Sequence, residues 1–133
     1  MITTQQAQAL IAAAEAHAGT LGVSVNIAVL DAGAHLKAFV RQDGAMLGSI
    51  DIALSKARTS ALFRLPSEAL WEYAKPGGPS PGLGNSNGGL TVFPGGLPLL
   101  DAQGALIGAV GISGGAPSQD LEIAQAAAAA LSA

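Results

Sequence analysis

The sequence predicts an α+β domain in which helices pack on a largely antiparallel sheet. Two regions, 23–41 and 90–112, contain short apolar or alternating runs separated by turn-forming Asp and Gly residues, which is typical of β-hairpins. Apolar residues recur at helical spacing before, between and after these regions. Because hairpins make antiparallel sheets and helices must bury an apolar face, a layered α+β architecture is expected. We predict a single domain covering residues 1–133, a length that suits one domain.

The first predicted helix carries a histidine at the edge of its apolar face. Thr3 or Thr4 can cap its start, and the helix runs to about Ala18, with Gly19 or Gly22 ending it. One face is lined by Leu10, Ala14, His17 and Leu21. His17 is therefore expected near the C-terminus of this helix, beside the core.

The remaining elements follow from the same periodicities. Strands are predicted for 23–30, 36–41, 90–93, 97–100 and 105–112. Helices are predicted for 46–63, 67–73 and 117–131, where Pro117 suits a first helical turn. Residues 75–89 are rich in Gly and Pro and are predicted to form a long irregular loop, which in a compact domain often has a functional role.

Composition limits the possible partners. The net charge is −3, which argues against nucleic-acid binding, although all six Lys and Arg residues lie between Lys37 and Lys75. Only 11% of residues are charged and 50% are hydrophobic, so we expect part of the apolar surface to be buried in a homo-oligomer. No secretion signal or membrane-spanning run is recognisable, so we expect a cytoplasmic protein with no membrane partner. The chain has no cysteine, which excludes disulfides and thiolate chemistry.

The few ionic groups are concentrated in one part of the sequence. Asp31, Arg41, Asp43 and Lys56 all lie around the first hairpin and the helix after it. We expect them to meet at one cleft, where Arg41 and Lys56 receive a carboxylate-bearing ligand. The competing interpretation is a turn residue at Asp31 and a local surface ion pair between Arg41 and Asp43.

Two further sets of residues are candidates for ligand binding. His17 is either a partly buried helix residue that bonds a backbone carbonyl or an axial ligand to haem iron. The glycine-rich segments that contain Phe93, Gly95, Gly96 and Ser113 are either structural or line a pocket for an anionic ligand with backbone N–H groups.

Several motifs, in order and spacing, resemble the GlcG/HbpS family of haem-binding or haem-degrading domains, which includes the C-terminal domain of PduO-type corrinoid adenosyltransferases. The matching pieces are the turn after Val29-Leu30-Asp31, Phe39-x-Arg41-x-Asp43-Gly44-Ala45, Ile52-Ala53-x-x-Lys56-Ala57, Phe93-x-Gly95-Gly96-x-Pro98-Leu99, Gly104-x-x-Ile107-Gly108-x-x-Gly111-x-Ser113-Gly114, and Asp120. The resemblance spans nearly the whole chain.

The resemblance implies a profilin-like α/β/α fold with a five-stranded antiparallel sheet, and assembly into homo-oligomers. Some family members bind haem through a His of the first helix, and His17 occupies the matching position. We therefore expect haem or a related tetrapyrrole as cofactor, with His17 as the iron ligand. The alternative is a small enzyme acting on an organic acid or carbonyl compound. In that case Arg41 and Lys56 anchor the substrate, and Asp43, Lys56 or His17 is catalytic.

Overall fold

The computed structural model describes residues 1–131, which form four α-helices and four β-strands. In chain order these are α1 (Thr4–Leu21), β1 (Asn26–Asp31), β2 (Leu36–Arg41), α2 (Ser49–Phe63), α3 (Trp71–Ala74), β3 (Gly96–Leu100), β4 (Leu106–Ser113) and α4 (Pro117–Ala130). Short 3-10 turns occupy Ser67–Leu70 and Leu83–Asn85. Within residues 1–131, no helix has the length and hydropathy that crossing a bilayer requires.

The sheet has the strand order β2-β1-β4-β3, and all neighbouring strands are antiparallel. One face is covered by α1 and α4, whose small and branched side chains pack on the central strands. The other face is covered by α2, through Ala53 and Ala57. The predicted layered arrangement of helices on an antiparallel sheet is therefore confirmed.

The sheet contains four strands, so the expectation of five is wrong. Residues 90–93 were predicted as a strand, but they are irregular. Their polar groups bond elsewhere: Leu90 N–H donates to the Gly84 carbonyl, and the Thr91 hydroxyl donates to the Ser55 hydroxyl. Positive φ angles at Gly89 and Gly95 on either side bend the chain away from a ladder. A short apolar run between glycines does not reveal this, because it fits a strand equally well.

The ends of α1 are encoded locally. The Thr3 hydroxyl accepts the N–H of Gln6, and the Gln6 side chain accepts the N–H of Thr3, which completes a capping box. Gly22 adopts the left-handed conformation (φ 69°) that ends the helix. Helix α2 starts later than predicted, at Ser49, because residues 46–48 form a turn before it.

The central strand β1 is buried on both faces. Ile27 and Val29 face α1 and α4, whereas Ala28 and Leu30 face α2. On β4, a Cβ at Gly111 would lie 2.0 Å from the Ala53 carbonyl oxygen of α2. Only glycine therefore permits this close packing of α2 on the sheet.

Candidate functional site

A buried ion pair joins two helices at one end of the sheet. Lys56 of α2 is 1% exposed and Asp120 of α4 is 2% exposed. The Lys56 Nζ donates to Asp120 Oδ2 at 3.0 Å and to the Ile112 carbonyl at 2.8 Å. Asp120 Oδ1 accepts the Gly115 N–H at 2.9 Å. The pair thus links the helices on opposite faces of the sheet through the last residues of β4.

Burial opposes the charge on both members of this pair. Removal from water lowers the pKa of Lys56, and the nearby Asp120 carboxylate only partly offsets that effect. The same desolvation raises the pKa of Asp120, against the attraction of Lys56 and the hydrogen bonds from the Gly115 and Gly114 backbone. Each charge is tolerated in the interior because the other compensates it, so neither is free to receive a ligand.

Two glycines make room for the buried lysine. A Cβ at Gly95 would lie 2.8 Å from Lys56 Nζ and 2.6 Å from the Ile112 carbonyl oxygen, and Gly95 has a φ of 129°. A Cβ at Gly96 would lie 2.4 Å from the Lys56 carbonyl oxygen. The Ser67 hydroxyl accepts the Gly96 N–H at 2.9 Å and donates to the Phe93 carbonyl at 2.5 Å. Glycine at these two positions therefore allows the backbone at the start of β3 to pack directly against Lys56.

The structure does not bring Asp31, Arg41, Asp43 and Lys56 together, so the prediction of a single ionic cleft is wrong. Arg41 pairs with Asn26 at one end of the β1–β2 hairpin, whereas Asp31 lies at the opposite end. Arg41 and Asp43 line an open surface depression of about 440 Å³, which Lys56 does not line. The proposed anchoring of one substrate by Arg41 and Lys56 together therefore lacks its geometry.

Asp31 acts as a turn residue, as the competing interpretation expected. Its Oδ1 accepts the N–H groups of Gly33 at 2.9 Å and His35 at 3.0 Å. These backbone hydrogen bonds, that from His35 first, lower the pKa of Asp31.

His17 lies at the contact between α1 and α4. Its Nε2 is 2.5 Å from Glu122 Oε2, and the side chains of His17 and Glu122 are 31% and 53% exposed. The backbone carbonyl of His17 accepts the Thr20 hydroxyl at 2.7 Å. One interpretation expected the His17 imidazole to bond a backbone carbonyl. The imidazole instead contacts the carboxylate of Glu122, which solvent can reach.

The remaining predicted site residues do not share one environment. Phe93 is 51% exposed and lies beside Trp71, whereas Gly95 and Gly96 are buried. Ser113 is 4% exposed at the end of β4, opposite Asn26. Their roles toward a ligand stay predictions.

Sequence reasoning missed both acidic partners. Asp120 is identified only as one of the residues that carry the family resemblance, and nothing in the sequence predicts a partner for Glu122. Lys56 and Asp120 are 64 positions apart, and His17 and Glu122 are 105 apart. No local sequence pattern predicts a contact between residues so far apart in the chain. Among residues 1–131, no group of three or more His, Cys, Asp or Glu side chains is placed to hold a metal ion.

Comparison with known proteins identifies the family. The model of the family "Haem degrading protein HbpS-like" matches residues 2–129. A 15.0 kDa protein of the dhaT-dhaS intergenic region of Citrobacter freundii is 36% identical over 95% of this chain and 89% of its own length. Protein GlcG of Escherichia coli K12 is 38% identical over 85% of this chain and 81% of its own length. Corrinoid adenosyltransferase PduO of C. freundii is 34% identical over 98% of this chain, which spans only 39% of that protein.

Solved structures agree with this result. Protein ORFY of Klebsiella pneumoniae superposes with a TM-score of 0.96 at 35% identity, covering 99% of this chain and 91% of that one. The PduOC:heme complex superposes with a TM-score of 0.91 at 34% identity, covering 97% of this chain and 94% of that one. The chain therefore belongs to the HbpS-like family, the family that also contains GlcG and the matching part of PduO.

Proposed function

We propose that this protein binds haem or a related tetrapyrrole at the surface formed by α1 and α4, with His17 as the ligand to iron. The observation that carries the proposal is the partly exposed imidazole of His17 on a chain that superposes, at a TM-score of 0.91, on a relative solved with haem. The family model, described as haem-degrading, supports the same cofactor.

The donor chemistry of His17 fits this group. A neutral imidazole nitrogen is a common axial ligand of haem iron. The ring is 31% exposed, so a large planar molecule on the surface can reach it without opening the core. The exposed faces of α1 and α4 nearby carry Ala16, Gly19 and Gln125, whose short or uncharged side chains leave room for a flat ligand. A bound haem supplies a redox-active iron; the residues of this chain bind and orient it.

The Glu122 carboxylate competes with a ligand for the Nε2 atom of His17. Because its carboxylate engages Nε2, coordination through this atom requires the Glu122 side chain to move aside. Glu122 is 53% exposed, so its carboxylate loses little by turning to water. In this proposal Glu122 and iron compete for the same imidazole nitrogen, and Glu122 turns to solvent when iron binds.

Hemin titration followed by the Soret band tests the proposal. We expect wild-type protein to shift the band and His17→Ala to bind much more weakly with an altered spectrum. Glu122→Gln should bind up to about fivefold more tightly, because the competing contact is worth at most about 1 kcal/mol. His35→Ala is the matched control, since His35 is the other histidine and lies in an exposed turn. Equal spectra and affinities for wild type and His17→Ala would exclude His17 as the iron ligand.

We also propose that the protein assembles into a homo-oligomer. The support is the low charge content of 11% together with exposed apolar side chains. These include Leu36, Met46, Leu47 and Leu100, each at least 48% exposed in the single chain. Native mass spectrometry should show a multiple of the chain mass, and a monomer at micromolar concentration would contradict the proposal.

A further inference from the structure

A second depression, remote in sequence from His17, is lined by aromatic rings and carboxylates. It has a volume of about 440 Å³ and lies between the Ser67–Ala74 helical segment and residues 92–94. Its lining residues are Glu68, Trp71, Glu72, Val92, Phe93 and Pro94. Trp71 and Phe93 are 47% and 51% exposed, in a chain with one Trp, one Tyr and three Phe. Two of its few aromatic rings are therefore partly exposed around one concave surface.

The two carboxylates of this depression differ in their partners. Glu72 is neutralised by Lys75, whose Nζ lies 2.7 Å from Glu72 Oε2. Glu68 Oε2 is buried and has no hydrogen-bond partner among the described residues. A carboxylate that is shielded from water without a partner is costly, and a cation placed beside it lowers that cost through its charge, whether or not it carries an N–H donor. The depression therefore has an unbalanced negative charge beside two aromatic rings.

We propose that this depression binds the ammonium group of a small organic cation. Aromatic faces attract a cation through their quadrupole, and they do so best when the cation is weakly hydrated, as alkylated ammonium groups are. Glu68 supplies the opposite charge, and Val92 and Pro94 contact the alkyl groups. A metal ion is disfavoured because most of the lining is apolar and supplies few ligands.

The site is independent of the proposed haem surface. It is formed by α3, the 3-10 turn before it and the segment before β3, whereas His17 belongs to α1 and contacts α4. Ammonium binding would thus persist in a His17→Ala variant, and haem binding would persist in a variant of Glu68.

Trp71 reports directly on this site because it is the single tryptophan of the chain. The experiment is a fluorescence titration with choline and, in parallel, with 3,3-dimethyl-1-butanol, which has the same shape without the charge. We expect choline to change the Trp71 emission with millimolar affinity and the alcohol to bind at least about tenfold more weakly. Isothermal calorimetry on the same samples checks for binding that leaves the emission unchanged.

Glu68→Gln and Glu72→Gln form the matched pair of variants. Glu68→Gln keeps the size of the side chain and should weaken choline binding about tenfold, whereas Glu72→Gln should change it less than twofold. Circular dichroism should show both variants folded, because Glu68 Oε2 has no hydrogen-bond partner among the described residues and the Glu72–Lys75 contact is exposed. The proposal is overturned if choline and the alcohol bind equally, if neither binds by either method, or if Glu68→Gln binds choline like wild type. It is also overturned if Trp71 is shielded in a homo-oligomer, which a blue-shifted emission at all protein concentrations would reveal.

Discussion

Asp120 and Glu122 lie two residues apart on α4, and each pairs with a basic residue of another helix, yet their surroundings are opposite. The Lys56 and Asp120 side chains are 2% and 3% exposed, whereas those of His17 and Glu122 are 31% and 53% exposed. A buried pair cannot lose one partner cheaply, because the remaining charge stays in the interior. An exposed pair can exchange a partner for water or for a ligand. Exposure to solvent, rather than the pairing itself, therefore separates an ion pair fixed in the interior from one whose partners can be exchanged.

Removing one member of the buried pair should have the largest effect. We expect Lys56→Met or Asp120→Leu alone to lower the free energy of unfolding by about 3–5 kcal/mol, since each leaves an uncompensated buried group. The double variant should lose far less than the sum, because no charge then remains in the interior. Urea denaturation of the four proteins measures this, and additive losses would show that the two residues are not coupled.

Filling the space beside Lys56 should have the next largest effect. Gly95→Ala places a Cβ within 2.8 Å of Lys56 Nζ and forces alanine into a φ of 129°. We expect a loss of about 2–3 kcal/mol in unfolding free energy. Gly82→Ala is the control, because Gly82 has a φ of −89° and no neighbouring atom within 4 Å of the added Cβ. If the two substitutions lower the unfolding free energy by the same amount, the close packing around Lys56 does not contribute to the loss.

The sequence predicted the helices, strands and turns better than it predicted which residues meet at the candidate site. Thr3, Gly22 and the Asp31-Ala32-Gly33 turn act through neighbouring residues, so their signals are local, and they were read correctly. The strand predicted at residues 90–93 failed because ladder partners are decided by tertiary structure. Lys56 was expected at a cleft because helical spacing alone does not distinguish an exposed lysine from one paired with a distant carboxylate.

Breaking the exposed pair should have a smaller effect on stability. His17→Ala or Glu122→Gln should change the unfolding free energy by less than about 1 kcal/mol, because both side chains already contact water. The measurement is the same urea denaturation that is applied to Lys56→Met. A loss above about 3 kcal/mol in either variant would make the surface pair structural and would end the contrast with the buried one.

The smallest expected effect is on the acid limb of the stability curve. The pKa of Asp31 is lowered in the folded state, so its contribution is fully present above the ordinary value of 3.8 and is lost as pH falls through the folded pKa. Asp31→Asn keeps an oxygen that can accept the Gly33 and His35 N–H groups but cannot titrate. We expect the unfolding free energy to depend less steeply on pH between about 2 and 5 in the variant than in wild type. Identical pH dependence would exclude a contribution from Asp31.

We propose that haem binds at the partly exposed His17 and not at the buried Lys56 region. The most direct measurement is the unfolding free energy of wild type and His17→Ala with and without hemin. A ligand that binds only the folded state at one hundred times its dissociation constant stabilises that state by about 2.7 kcal/mol. We predict stabilisation of this size for wild type and little or none for His17→Ala. Equal stabilisation of both proteins, or none in wild type, would contradict the account.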